Sequence, residues 1–222
     1  ILRGQDFPPY HYADETGKEQ GFVCEIILSV AGTLDMNVTF RQYPWSRCLE
    51  MVRLGHADAM MNLFKTENRK RYLYFSNNNL GYEVNQFFRR KGTSIEYSGS
   101  PLDMGLLKMG AIRNYSYGPE FDAVYFPQLL LHETEASLIK SLVNKRCDII
   151  VGNNIVINLL KKKMGLEDKM EAIDPPVSKE PLFIGFSKAM GHQQLADDFS
   201  TALEKFKKTK PYLNILKKYN TQ

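Results

Sequence analysis

The sequence predicts an α/β fold of two lobes, each a mostly parallel sheet flanked by helices. Two observations predict it. Apolar, strand-like runs alternate with helix-like stretches along the chain, the pattern of parallel strands joined by crossover helices. There is also an internal echo. Leu54-Gly-His-Ala-Asp58, an apolar run and Asn62 are matched by Asn144-Lys-Arg-Cys-Asp148, an apolar run and Gly152-Asn153. Both read helix, turn, aspartate, strand, asparagine. A chain of 222 residues can hold one large or two small domains, so two similar lobes fit its length.

The elements follow in order. Residues 1 to 3 are the remnant of a first strand, and Phe22, Ile26, Val30 and Leu34 mark one face of a first helix. Asn37 to Arg41 read as a second strand. Residues 46 to 54 form a second helix with Trp45, Cys48, Leu49 and Val52 on one face, and Gly55 stands where it would stop. Residues 58 to 63 are a short buried strand. Thr66-Glu-Asn-Arg69 is a polar loop, Tyr72 to Ser76 is strand-like, and Gly81 to Arg89 is a strand running into a basic linker, Arg90 to Pro101. A second set follows. Its strands are Met109 to Arg113, Gln128 to His132 and Asp148 to Val151, and its helices begin at Pro119, Thr134 and Ile155. Glu180 to Ser187 is a long apolar strand. Leu195, Phe199, Leu203 and Phe206 mark a last amphipathic segment that runs to Tyr219. The chain then crosses between lobes twice, near residues 85 to 92 and 179 to 186. Lobe one is residues 1–88 with 186–222, and lobe two is residues 89–185. Ligands of open α/β sheets bind off the carboxyl ends of the strands, so a cleft between the lobes is the expected site.

Composition narrows the function. The chain is 43% hydrophobic and 24% charged, with a net charge of +4. Its basic runs, Arg89-Arg-Lys91 and Lys161-Lys-Lys163, read as solvated ends of elements, not as a nucleic-acid surface. No apolar run approaches the roughly 20 residues of a membrane span. The chain starts at Ile1 without methionine, which suggests a removed signal peptide. Cys24, Cys48 and Cys147 are an odd count and read as small buried hydrophobes. Neither they nor the scattered histidines have zinc-site spacing, so no metal or cofactor is expected.

The stretch from Tyr43 to Ser76 carries a more specific signal. It places Pro44-Trp45 before a helix, then Leu54-Gly-His-Ala-Asp58, a short strand, Thr66-Glu-Asn-Arg69 and an apolar run ending Phe75-Ser76. Phe7-Pro-Pro-Tyr10 with Tyr12 and Gly17, Gly21-Phe-Val-Cys-Glu25-Ile, and Ser187-Lys188 add further pieces. In this order they resemble the extracellular solute-binding proteins of family 3, the polar amino-acid receptors of ABC importers. The resemblance covers nearly the whole chain. It implies the two-lobed periplasmic-binding-protein fold, with two hinge strands, in a monomer located in the periplasm. Such a protein closes on a small-molecule ligand and passes it to an ABC transporter permease.

The resemblance also implies site residues. Arg69, at the arginine of Thr-x-x-Arg, would grip the ligand's carboxylate through its planar, permanently charged fork. Asn62 and Phe64 end the third strand and would face the cleft, where relatives carry small residues near the ammonium; a plain core role is the other reading of Met61 and Phe64. Phe7 and Tyr10 would wall the pocket, against the alternative of a hydrophobic staple around Pro8-Pro9. Trp45 reads as a packing residue at a helix start. Asn114, Tyr115 and Ser116 stand where relatives have a Gly-(Ser/Thr)-(Ser/Thr) loop that completes the carboxylate cage at a helix start. Asn153, or Asn154 if the register shifts by one, departs from the family's aspartate, which pairs with the ligand's ammonium; the carboxylate half of the signature is present, and the small polar ligand is an amino acid held differently, a carboxylate without an ammonium, or another polar or aromatic molecule. Binding without catalysis is the leading expectation. An extracytoplasmic sensing domain of a receptor is the alternative, and a dehydratase-type enzyme a lesser one. The enzyme would need a cleft acid, whereas Glu25, Asp58 and Asp148 sit at ends of elements where capping is the simpler role.

Overall fold

A computed structural model describes residues 1–220. The chain falls into two compact units, Ile1–Tyr82 with the chain from Pro181 on, and Glu83–Glu180. It passes from one to the other within two strands.

In unit one, β1 (Leu2–Arg3) leads to a small hairpin of β2 (Tyr12–Ala13) and β3 (Glu19–Gln20). Helix α1 (Phe22–Gly32) follows, then β4 (Arg41–Gln42), α2 (Trp45–Arg53), β5 (Ala59–Leu63), α3 (Glu67–Lys70) and β6 (Leu73–Phe75). β7 (Gly81–Arg90) carries the chain into unit two. That unit contains β8 (Met109–Ile112), α4 (Pro119–Asp122), β9 (Leu129–His132), α5 (Glu135–Val143), β10 (Ile149–Asn153) and α6 (Asn154–Lys163). β11 (Met170–Ser187) returns to unit one, which ends with α7 (Gln193–Phe206) and α8 (Lys210–Lys218).

The sheet of unit one runs β4-β1-β5-β11, with β6 also paired to β11. β1 is parallel to β4 and β5, while β11 is antiparallel to β5 and β6. In unit two the order is β7-β10-β8-β9. β8 is parallel to β9 and β10, and β10 is antiparallel to β7. The parallel strands therefore point their carboxyl ends to one edge in each unit, the edge where loops can gather polar groups.

Alternation along the strands of unit two builds a core on each face. Phe87, Met109, Ala111, Ile149 and Val151 face a cluster closed by Tyr97, Met104 and Phe121. Phe88, Ile112 and Ile150 face Leu138, Ile139 and Leu142 of α5 and Ile157 of α6. Gly110 lies under α5, because a Cβ there would meet Leu138 Cδ1 at 2.7 Å.

Several sequence readings shift in detail. Of residues 37 to 41, only Arg41 enters a strand, with Gln42; the preceding segment pairs with nothing regular. Thr66 to Arg69 is not a loop but a capped turn of helix, in which the Thr66 hydroxyl accepts from Arg69 N–H at 3.3 Å. The last amphipathic segment is two helices, broken at Lys207 to Thr209, where Thr209 caps the second. Leu34 lies beyond the end of α1. All three cysteines are buried free thiols, as expected, and burial raises the pKa of each.

The internal echo has a common backbone. After α2, Gly55 takes φ +76° and His56 N–H bonds back to Met51 O at 2.8 Å. After α5, Lys145 takes φ +60° and Arg146 N–H bonds to Ser141 O at 2.9 Å. Both are Schellman closures that turn a helix into the next strand.

Gly21 is the tightest backbone position. It caps α1 at φ +109° and ψ 150°, a region nearly reserved for glycine, and a Cβ would collide with the Tyr10 carbonyl. Gly21→Ala is expected to cost at least the roughly 1–3 kcal/mol of backbone strain. Urea unfolding measures it, and a midpoint equal to that of the parent would refute the strain.

Candidate functional site

In unit one the predicted residues gather at the carboxyl ends of β1 and β5. Arg69 is only 5% exposed although its guanidinium is charged. Thr66 holds the backbone of its helical turn, Nη1 donates to Phe64 O at 3.2 Å, and the guanidinium lies 5.6 Å from the Trp45 ring centre. Trp45 in turn packs under Gly4, where a Cβ would meet the indole at 3.3 Å. Trp45 is therefore the platform of the arginine as well as a helix-start packing residue. Phe64 contributes its carbonyl to that anchor, while its ring is buried and Met61 is fully buried.

The opening turn supplies the aromatic side. Phe7 and Tyr10 are buried with ring centres 5.2 Å apart, and the Tyr10 hydroxyl donates to Tyr82 O at 3.0 Å. Tyr10 also packs on Phe22 of α1, so its ring is fixed by the core. Phe7 stacks on His11, with ring centres 5.8 Å apart and planes at 21°. His11 then reaches Asn62, with Asn62 Nδ2 2.6 Å from His11 Nδ1. Asn62, the penultimate residue of β5, takes φ +60°, a left-handed conformation that asparagine tolerates better than most residues.

In unit two, the loop after β8 places Asn114 at φ +61°, as its stand-in for glycine requires. The Ser116 hydroxyl donates to Asp122, and Tyr117 N–H donates to the same carboxylate at 3.0 Å. The loop is thus tied to a carboxylate of α4. The half-buried Tyr115 donates its hydroxyl to Glu135 Oε1 at 3.0 Å. Glu135 opens α5 just beyond β9, is 5% exposed, and forms no ion pair among the described residues. Burial pushes its carboxyl above the usual range, against smaller lowering effects from its own backbone N–H and from Tyr115. Asn153 ends β10, and its Oδ1 accepts from Val156 N–H at 3.0 Å, capping α6. In the sheet it stands opposite Asn85, which is fully buried and donates to Ser178 Oγ at 3.4 Å. The two strand-end asparagines of the echo thus do different work: Asn62 meets a histidine, and Asn153 caps a helix.

Three features escaped sequence reasoning. His11 was one of four scattered histidines, and its partner lies 51 positions away. Glu135 follows a capping threonine and reads as an ordinary first-turn acid; its burial is a tertiary fact. Arg3 is 1% exposed and satisfied by Asp6 of the loop after β1 and Glu19 of β3. The acids considered for catalysis are engaged elsewhere. Glu25 pairs with Lys218 at 2.5 Å and Tyr219 at 2.7 Å, Asp58 with His192 at 2.9 Å, and Asp148 accepts from Lys108 N–H at 3.0 Å. A cavity of about 390 Å³ in unit one, lined by Ile27, Asp58, Ile184 and Phe199 among others, touches none of the predicted site residues. Among the described residues no His, Cys, Asp or Glu cluster could hold a metal, and no helix is long and apolar enough to cross a membrane.

Two α/β units, each with polar groups at the carboxyl ends of its parallel strands, define the class of periplasmic-type binding proteins. The chain belongs to the bacterial extracellular solute-binding proteins, family 3, whose family model matches residues 2–222. It is 24% identical over 217 residues to the probable amino-acid-binding protein YxeM of Bacillus subtilis (strain 168), covering 97% of this chain and 81% of that protein. It is 22% identical over 223 residues to the arginine-binding periplasmic protein of Mannheimia haemolytica, covering 99% and 90%. Among solved structures it is similar to a histidine kinase sensor domain with similarity to periplasmic binding proteins. The TM-score is 0.85 at 22% identity, over 99% of this chain and 95% of that one.

Proposed function

We propose that this protein captures an amino acid, with Arg69 holding the α-carboxylate and Glu135 supplying the negative charge for a cationic group. The observation that carries the reading is Arg69: a buried guanidinium on a capped turn after β5, seated over Trp45. A guanidinium held this way is pre-ordered for a planar carboxylate. Glu135 answers the absence of aspartate at Asn153. Glu135 opens α5 after β9 and Asn153 ends β10, the two strands that flank β8, and a buried carboxylate is costly until a cation reaches it. Tyr115 orients it. Phe7 and Tyr10 bound the aromatic side of the ligand, and Asn62, Phe64, Ser116 and Asn153 shape the remainder. The amino-acid-binding and arginine-binding relatives support this ligand class. Capture proceeds by hinge closure, which shifts the population toward the liganded form. The protein acts outside the cytoplasm as a monomer and hands its ligand to an ABC transporter permease, without catalysis. A sensing domain of a receptor is the second reading, favoured by the likeness to a histidine kinase sensor domain.

A thermal-shift screen tests the ligand class, using amino acids, opines, small carboxylates, polyamines and sugars. A ligand at 100 times Kd adds about 2.7 kcal/mol to stability. L-amino acids, with L-arginine among them, are expected to raise the melting temperature; silence across all amino acids would overturn the reading. Glu135→Gln keeps the shape and a hydrogen-bond acceptor for Tyr115. It is expected to weaken L-arginine binding by roughly 2 kcal/mol or more, as for one partner of a buried charge pair. The unliganded variant should be at least as stable as the parent, since an unpaired buried charge is removed. A variant that binds normally and melts lower would make Glu135 a structural residue.

A further inference from the structure

We propose that His11 is a positioning residue that turns the Asn62 amide so that its Oδ1 accepts a hydrogen bond from an N–H group of the ligand. The inference rests on the small-ligand reading above and adds which atom receives the ligand's donor. Three observations carry it. His11 is 3% exposed, and its Nε2 lies 3.0 Å from Gln5 O. A carbonyl oxygen only accepts, so Nε2 carries the proton. The neutral ring must then accept at Nδ1, and the Asn62 atom 2.6 Å from it is the donor Nδ2. The tautomer thus fixes the amide, whichever way the amide would otherwise turn.

The consequence falls on the other end of the same amide. Asn62 is 7% exposed, and its Oδ1 is buried and accepts no hydrogen bond from any described residue. An acceptor left so carries the desolvation penalty of a buried polar group, which a ligand donor would offset. The position is held from both sides: the backbone of Asn62 is left-handed at the end of β5, and Phe7 stacks on the His11 ring. Burial, and next the nearby charge of Arg3, lower the His11 pKa to about 3, so the ring stays neutral in ordinary buffers. The matching ligand groups are a primary ammonium, an amide or a guanidinium, each of which presents N–H.

The test has two arms. In the unliganded protein, long-range ¹⁵N–¹H correlation of the histidine rings is expected to show His11 neutral, protonated at Nε2, at pH 7 and pH 5. A ring protonated at Nδ1, or charged at pH 5, would overturn the proposal. In calorimetry with L-arginine, L-histidine and L-glutamine, Asn62→Leu is expected to weaken the best-binding probe at least tenfold. His11→Phe keeps the stacked ring and loses Nδ1. It should weaken the same probe by a similar factor although Asn62 is intact. Unchanged affinity in both variants would mean that Oδ1 is served by water alone, and the proposal falls. If none of the three probes binds the parent protein, it is the amino-acid reading that falls, and the ring tautomer alone decides the role of His11.

Discussion

Arg69→Ala is expected to weaken binding of a carboxylate-bearing ligand by roughly 2 to 5 kcal/mol, because it strands a buried ligand charge without its partner. Thr66 fixes the turn, the Phe64 carbonyl sets the plane of the fork, and Trp45 supports one face. Ordering costs are therefore met before the ligand arrives. Arg69→Lys should recover little of the loss, since an ammonium is a point charge and cannot grip a carboxylate through two parallel N–H groups. Calorimetry on both variants measures the effect, with the melting temperature of the unliganded forms as control. Loss of the Trp45 contact alone is worth about 0.5 to 2 kcal/mol of stability. Affinity unchanged in Arg69→Ala would remove this residue from the site.

Acid should destabilise the protein through His11. Its folded pKa is lowered to about 3 by burial and by the charge of Arg3, while an unfolded histidine titrates near 6.5. Between those values the unfolded chain binds one more proton than the folded one. Stability contributed by the neutral ring is complete above pH of about 6.5 and is lost as pH falls toward about 3, at roughly 1.4 kcal/mol per pH unit. Carboxylate pairs such as Glu25 with Lys218 add their own acid losses, so the informative quantity is a difference. Urea unfolding of the parent and of His11→Phe at pH 7, 5.5 and 4.5 should give curves that converge as the pH drops. Parallel curves would show that His11 titrates alike in both states.

How far the site could be read ahead of the structure differs between its two halves. The arginine half was legible because its parts are local. Thr66, Arg69 and Phe64 lie within five residues, and the threonine cap is a short-range pattern. Even there, sequence periodicity does not distinguish the capped turn from a loop, since a four-residue helix leaves too short a period to detect. The opening turn was legible as an aromatic cluster, but not the link from His11 to Asn62, which depends on how β1 and β5 lie side by side. In unit two, the loss of aspartate at Asn153 was plain. The burial of Glu135 was not, because it arises from packing α5 against β8 and β9.

What the sequence by itself determined is the class of the molecule: the alternation of strands and helices, the repeated helix, turn and strand, the family motifs and the buried, unpaired cysteines. These rest on periodicity and on neighbours a few residues apart, where side-chain order along the chain is also order in space. Only the tertiary structure decided which polar groups are buried and whom they meet. Asn62 and Asn153 look alike in the chain, yet one is oriented by a histidine and the other caps a helix. Glu135 and Glu133 are near neighbours, yet Glu133 pairs with Arg113 at the surface while Glu135 is enclosed with Tyr115. The physical reason is that desolvation and hydrogen-bond partnership are set by strands and helices distant in sequence, and they give identical residue types different chemistry.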